Sequence, residues 1–81
     1  MKHLTYQERC YIDNDPYAAW YPLKPFPYSF IQPNFGYDGM VDSAKLIIDS
    51  NDNAVLMVPG SGSSYYQLDV EEQKKFESYI L

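Results

Sequence analysis

Ala44 to Val58, AKLIIDSNDNAVLMV, is the stretch whose reading decides the fold, because two apolar runs flank a compact cluster of turn formers. In the first run, Leu46 and Ile48 point to one face of a strand and Lys45, Ile47 and Asp49 to the other. Ser50-Asn51-Asp52-Asn53 supplies side chains that tolerate left-handed dihedrals and bond their own backbone, so the run turns back on itself as a β-hairpin. The second run, Ala54 to Val58, is apolar on both faces, which suits a strand inside a sheet covered on both sides. The rest of the chain must supply that cover.

Downstream, Pro59-Gly60-Ser61-Gly62-Ser63-Ser64 ends the second strand and makes a connector. Tyr65 to Leu68 reads as a short further strand. Asp69-Val70-Glu71-Glu72 places an N-cap three residues before a Glu, a capping-box start whose carboxylates also complement the helix dipole. The spacing predicts a C-terminal helix over 69–80, its core running from Val70 to Tyr79, with Val70, Phe76, Tyr79 and Ile80 as an apolar stripe against the sheet.

Upstream, Phe35-Gly36-Tyr37-Asp38-Gly39 is a turn leading back to the hairpin. Residues 16–37 carry five of the six prolines, each removing a backbone donor and pushing its predecessor toward an extended conformation. This segment is expected to be irregular and to wrap the sheet, driving Trp20, Phe26, Phe30 and Phe35 into the core. From His3 to Ile12 the residues alternate, broken only by Glu8, as in a half-buried strand. Thr5-Tyr6-Gln7-Glu8 also matches a capping box that would start a helix. The β-favouring residues and the Asp13-Asn14-Asp15-Pro16 stop favour the strand.

With 81 residues, the chain is long enough for one small domain, 1–81, and one modest core. Cys10 is the only cysteine, so neither an intrachain disulfide nor a cysteine-built zinc site can form, which suits a reducing, cytoplasmic setting. The first ten residues lack the apolar core of a signal peptide, and no run approaches the length of a membrane span. A net charge of −5, with only six Lys and Arg scattered along the chain, argues against direct nucleic-acid binding. The acidity serves solubility or draws the protein to a basic surface on a partner.

Constellations that carry chemistry are scarce. Asp49-Ser50-Asn51-Asp52-Asn53 begins like a calcium loop, but Ala54 stands where the sharp turn needs Gly and Gly60 where a bidentate Glu should close the site. A plain hairpin turn accounts for it, and no metal or cofactor is expected. Cys10 reads as a small buried hydrophobe and His3 as a surface residue. On one strand they point to opposite faces and cannot share a proton, so no catalytic residues are assigned and the chain is not expected to be an enzyme.

These residues predict an α+β fold: an antiparallel sheet of three to four strands centred on the 44–58 hairpin, one C-terminal helix, and a Pro/aromatic-rich irregular segment wrapping the sheet. The surplus of aromatics then points to binding. Tyr17, Trp20, Tyr21, Tyr28 and Tyr37 are candidate anchors for another protein, and Asp13, Asp15, Asp38, Asp49 and Asp52 are candidate partners for its Lys or Arg. The expected function is that of a small acidic accessory or inhibitor that occludes a protein with a basic or apolar surface. The alternative is a small-ligand or nucleotide sequestering module, with stacked aromatics such as Trp20, Tyr21 and Phe35 lining a pocket. A homodimer closed by exposed aromatics is a third arrangement.

The hairpin LIIDSNDNAVLMV, the Gly/Ser connector and the terminal DVEEQKKFESYIL together resemble many small proteins encoded by bacteriophages. The resemblance covers about half of the chain and lies in style, not in a functional motif. It implies a viral host-takeover or counter-defence accessory of the anti-CRISPR type, acting in the host cytoplasm by binding a host protein.

Overall fold

The computed structural model describes residues 2–34, 36, 38–60 and 62–81. In chain order the elements are β1 (Lys2–His3), α1 (Tyr6–Asp13), β2 (Ala19–Pro22), β3 (Phe26–Pro27), a single 3₁₀ turn (Tyr28–Phe30), β4 (Met40–Val41), β5 (Lys45–Ile48), β6 (Ala54–Val58), β7 (Ser64–Gln67) and α2 (Val70–Glu77). The hairpin forms as its sequence dictates: β5 pairs antiparallel with β6 in the register Leu46↔Leu56 and Ile47↔Val55. In the turn, one oxygen of Asp49, Oδ1, accepts the backbone N–H groups of Asn51 and Asn53, both at 2.9 Å. Asp52 takes the left-handed conformation, with φ 63°.

Around this hairpin is a five-stranded antiparallel sheet in the order β1-β7-β6-β5-β2, with β3 and β4 as a separate pair. The fold is α+β, as the hydropathy pattern requires, but it has more strands than the three or four expected. The additional ones are β2 in the main sheet and the β3–β4 pair, and the sequence reading differs from the structure in two places. Ala19–Pro22, assigned to the irregular segment, pairs with β5, placing Trp20 opposite Ile47 and Tyr21 opposite Leu46. A proline is tolerated there because β2 is an edge strand, where a missing N–H breaks no ladder bond. Its carbonyl accepts the Leu81 N–H at 3.0 Å, and Leu23 bridges Ile80, so the end of the chain covers part of this edge.

The second difference lies at 3–12. Only Lys2–His3 is strand, and Tyr6–Asp13 is a helix. The capping box is formed in full: Thr5 Oγ1 accepts the Glu8 N–H at 3.3 Å, and Glu8 Oε1 accepts the Thr5 N–H at 3.1 Å. A two-turn helix also provides what β6 lacks, a cover for its second apolar face. Among the described residues there are therefore two α-helices where one was expected.

Each face of the sheet has its own core. Leu46, Ala54 and Leu56 pack with Leu23, Phe26, Ile31, Val41, Leu68 and Phe76 on the side of α2. The ring of Phe76 meets Phe26 edge-on at 5.0 Å, and Phe30 meets Tyr79 at 5.6 Å. Helix α2 starts with its own capping box, Asp69 Oδ1 accepting the Glu72 N–H at 2.7 Å. Of its expected stripe, Phe76 is buried and Tyr79 and Ile80 are half-buried, whereas Val70, in the first turn, faces solvent. On the opposite face Ile47, Val55 and Tyr65 pack with Leu4 and Ile12 from the α1 segment.

The Pro/aromatic segment contributes to cover selectively. Phe26 is completely buried and Phe30 packs against the larger cluster, but Trp20 is 37% exposed and is not a core residue. Alternation along β2 turns its indole to the α1 side, where the small core ends at Ala18 and Met57. The core assignment of Phe35 lies outside the described residues.

Candidate functional site

Helix α1 is held to the sheet at one flank and bare at the other. Its inner anchors are Ile12 and a polar staple centred on Arg9. The Arg9 Nη1 donates to the carbonyls of Gly62 and Ser63 at 2.8 and 3.0 Å, and the guanidinium lies 4.8 Å above the Tyr65 ring. The Tyr65 hydroxyl donates to Asp13 Oδ1 at 2.6 Å, while the other Asp13 oxygen lies 3.7 Å from Arg9 Nε. Burial first, then the hydrogen bond and charge of Asp13, push the Tyr65 phenol up to about 12. The Gly/Ser connector is thus tied to α1 through its carbonyls.

Among the described residues, the outer flank carries no such ties to the sheet. Tyr6 is 79% exposed, Tyr11 80% and Tyr17, just past the helix, 83%. Tyr6, Gln7, Cys10, Tyr11 and Asn14 line an open, uncharged groove on this flank, set by helical spacing of four between Tyr6 and Cys10 and between Gln7 and Tyr11. Cys10 is half-buried there.

A second, smaller cleft of about 180 Å³ separates α1 from the hairpin turn, and Tyr11 is the ridge between the two. Glu8 and Asp49 stand on its sides. The Thr5 backbone N–H is the chief reason the Glu8 carboxyl sits below its ordinary value. Asp15 ties the two segments together: its oxygens accept the N–H groups of Tyr17 and Ser50, both at 2.9 Å, and the Ser50 bond is the first cause that lowers its carboxyl.

Of the aromatic residues singled out in the sequence, Tyr17 is exposed just past α1. Trp20 and Tyr21 are adjacent on β2 and project to opposite faces, so they do not line one pocket. Tyr28 is half-buried against the larger core. Tyr37 lies outside the described residues, as does Phe35. Of the acidic residues, Asp13, Asp15 and Asp49 gather around α1 and the hairpin turn through the bonds described, and Asp52 lies in that turn. Asp38, also exposed, precedes β4 in the chain, away from this grouping in sequence. Among the described residues, no three His, Cys, Asp or Glu side chains are grouped to hold a metal ion, and no helix is long and apolar enough to cross a membrane.

Tyr6 and Tyr11 were missed in the sequence because a strand over 3–12 puts them on opposite faces. The signal that finds them is the Thr5–Glu8 capping box, since helical spacing brings both to one groove. No family model, curated protein or solved structure matches this chain.

Proposed function

We propose that this protein is a small, acidic, non-catalytic binding protein that acts as an accessory or inhibitor by covering a surface of another protein. One observation carries the reading: Tyr6, Tyr11 and Tyr17 present most of their surface to solvent from one short helix and the turn after it. Tyrosines of this kind offer large, amphipathic contact area at low entropic cost, the usual chemistry of interface anchors. Asp15, Asp49 and Asp52, in the two linked turns beside them, supply a negative rim that favours a basic partner. Where the chain serves a bacteriophage, as its resemblance implies, that partner is a host protein and the outcome is counter-defence.

The test is affinity capture from a lysate of the cells that make the protein, with the wild-type chain beside the triple variant Tyr6→Ser, Tyr11→Ser, Tyr17→Ser. These side chains are solvent-facing, so the variant keeps its fold, which circular dichroism checks. A partner recovered by the wild type and lost by the variant supports the reading. Identical recovery by both, or none by either, refutes it.

A further inference from the structure

We infer that the cleft between α1 and the hairpin turn takes a single arginine side chain projected by the partner protein, an inference that rests on the binding role proposed above. At about 180 Å³ the cleft is smaller than the several hundred cubic ångströms usual for small-molecule sites. It is large enough for one long side chain. Leu4, Ile12 and Val55 contribute apolar surface to it, suited to the methylene stem of an arginine, and Glu8 and Asp49 contribute carboxylates suited to its head.

Each of the two carboxylates has one less committed oxygen. Glu8 Oε1 accepts the Thr5 N–H at 3.1 Å, while Oε2 has only a 3.6 Å ion pair with Lys2, whose side chain is 65% exposed. Asp49 Oδ1 accepts two backbone N–H groups at 2.9 Å, while Oδ2 has a single long bond, 3.3 Å, from the Asn53 amide. Surface ion pairs such as Lys2–Glu8 are weak and easily exchanged. Tyr11 adds an aromatic wall, on which a planar guanidinium stacks and an ammonium fits less well. Gln67, across the cleft on β7, offers an amide oxygen to a remaining guanidinium N–H. Charge complementarity therefore favours a cationic side chain over any neutral one, and the aromatic wall with the planar fork of the guanidinium favours arginine over lysine.

The experiment is a two-dimensional ¹H–¹⁵N NMR titration of the labelled full chain with N-acetyl-arginine amide, its lysine counterpart and its neutral citrulline counterpart. The arginine probe is expected to shift the amides of Glu8, Tyr11, Asn53 and Gln67 with a Kd on the order of 10 mM. Lysine should bind more weakly, and citrulline should leave those amides in place. Glu8→Gln keeps the capping bonds while removing the charge, and Tyr11→Ala removes the wall; each should weaken arginine at least about threefold. Equal responses to arginine and citrulline, shifts centred elsewhere, or no saturable shift overturn the arginine site. Those outcomes leave protein binding through the tyrosines standing, because that reading fails only in the capture experiment.

Discussion

Replacing Tyr65 by Phe removes one oxygen and leaves the ring, its burial and its contact with Arg9 in place, so it isolates the hydroxyl that joins β7 to α1. The bond is short, 2.6 Å, and its acceptor is charged, a combination worth about 1.5–3 kcal/mol when the acceptor is shielded. The side chain of Asp13 is 38% exposed, so water replaces part of what is lost and the expected cost falls to about 1 kcal/mol. In a chain of this length that lowers Tm by about 4–8 °C.

The same bond has a pH signature. Because burial and Asp13 raise the Tyr65 phenol from 10.0 to about 12 in the folded protein, the unfolded chain ionises first. The stabilisation is complete below about pH 10 and is lost as pH rises toward 12. Urea unfolding of both proteins from pH 7 to pH 12 measures this directly. The gap between wild type and Tyr65→Phe should be constant up to about pH 9.5, close above it and change sign before pH 12, because burial of the phenol as well as the bond raises its pKa; amide exchange in α1 should be faster in the variant at neutral pH. Equal stabilities at pH 7, or a gap that persists unchanged to pH 12, would refute the assignment of this bond as the clamp on α1.

Two further outcomes follow from the same structure. Asp15 and Glu8 titrate below their ordinary values in the fold, so their contribution is present above about pH 4.5 and is lost as the solution is acidified below it. Asp15→Asn should flatten the acid limb of a thermal-melt pH series, and an unchanged limb would count against the bond from Ser50. Phe76→Ala empties the centre of the larger core, where the ring has no exposed surface, at a cost of about 3–5 kcal/mol. That is comparable to the whole stability of a small domain, so the variant should be unfolded or nearly so by circular dichroism at 25 °C; a native-like melt would show that α2 is not the main cover of that face.

Much of this architecture was legible in local chemistry. The hairpin register follows from two apolar runs around a turn in which Asp49 bonds the backbone beyond it, and α2 starts where Asp69 and Glu72 make a reciprocal cap. Such features involve residues a few positions apart, and the side chains that create them can be read directly. The two-sided apolar character of Ala54 to Val58 likewise required cover on both faces, and both faces are covered. Tertiary structure decided the remainder. Whether Thr5 to Ile12 became strand or helix depended on what the exposed face of β6 needed, since alternation and capping box pointed in opposite directions. Whether Trp20 was core or surface depended on Ala19–Pro22 finding the free edge of β5, a pairing between segments more than twenty residues apart. For the same reason the candidate binding surface was only partly visible beforehand: Tyr17 and the turn carboxylates could be picked out by type, but Tyr6 and Tyr11 share a groove only because α1 is a helix, and Asp49 meets Glu8 across a cleft only because that helix lies beside the turn.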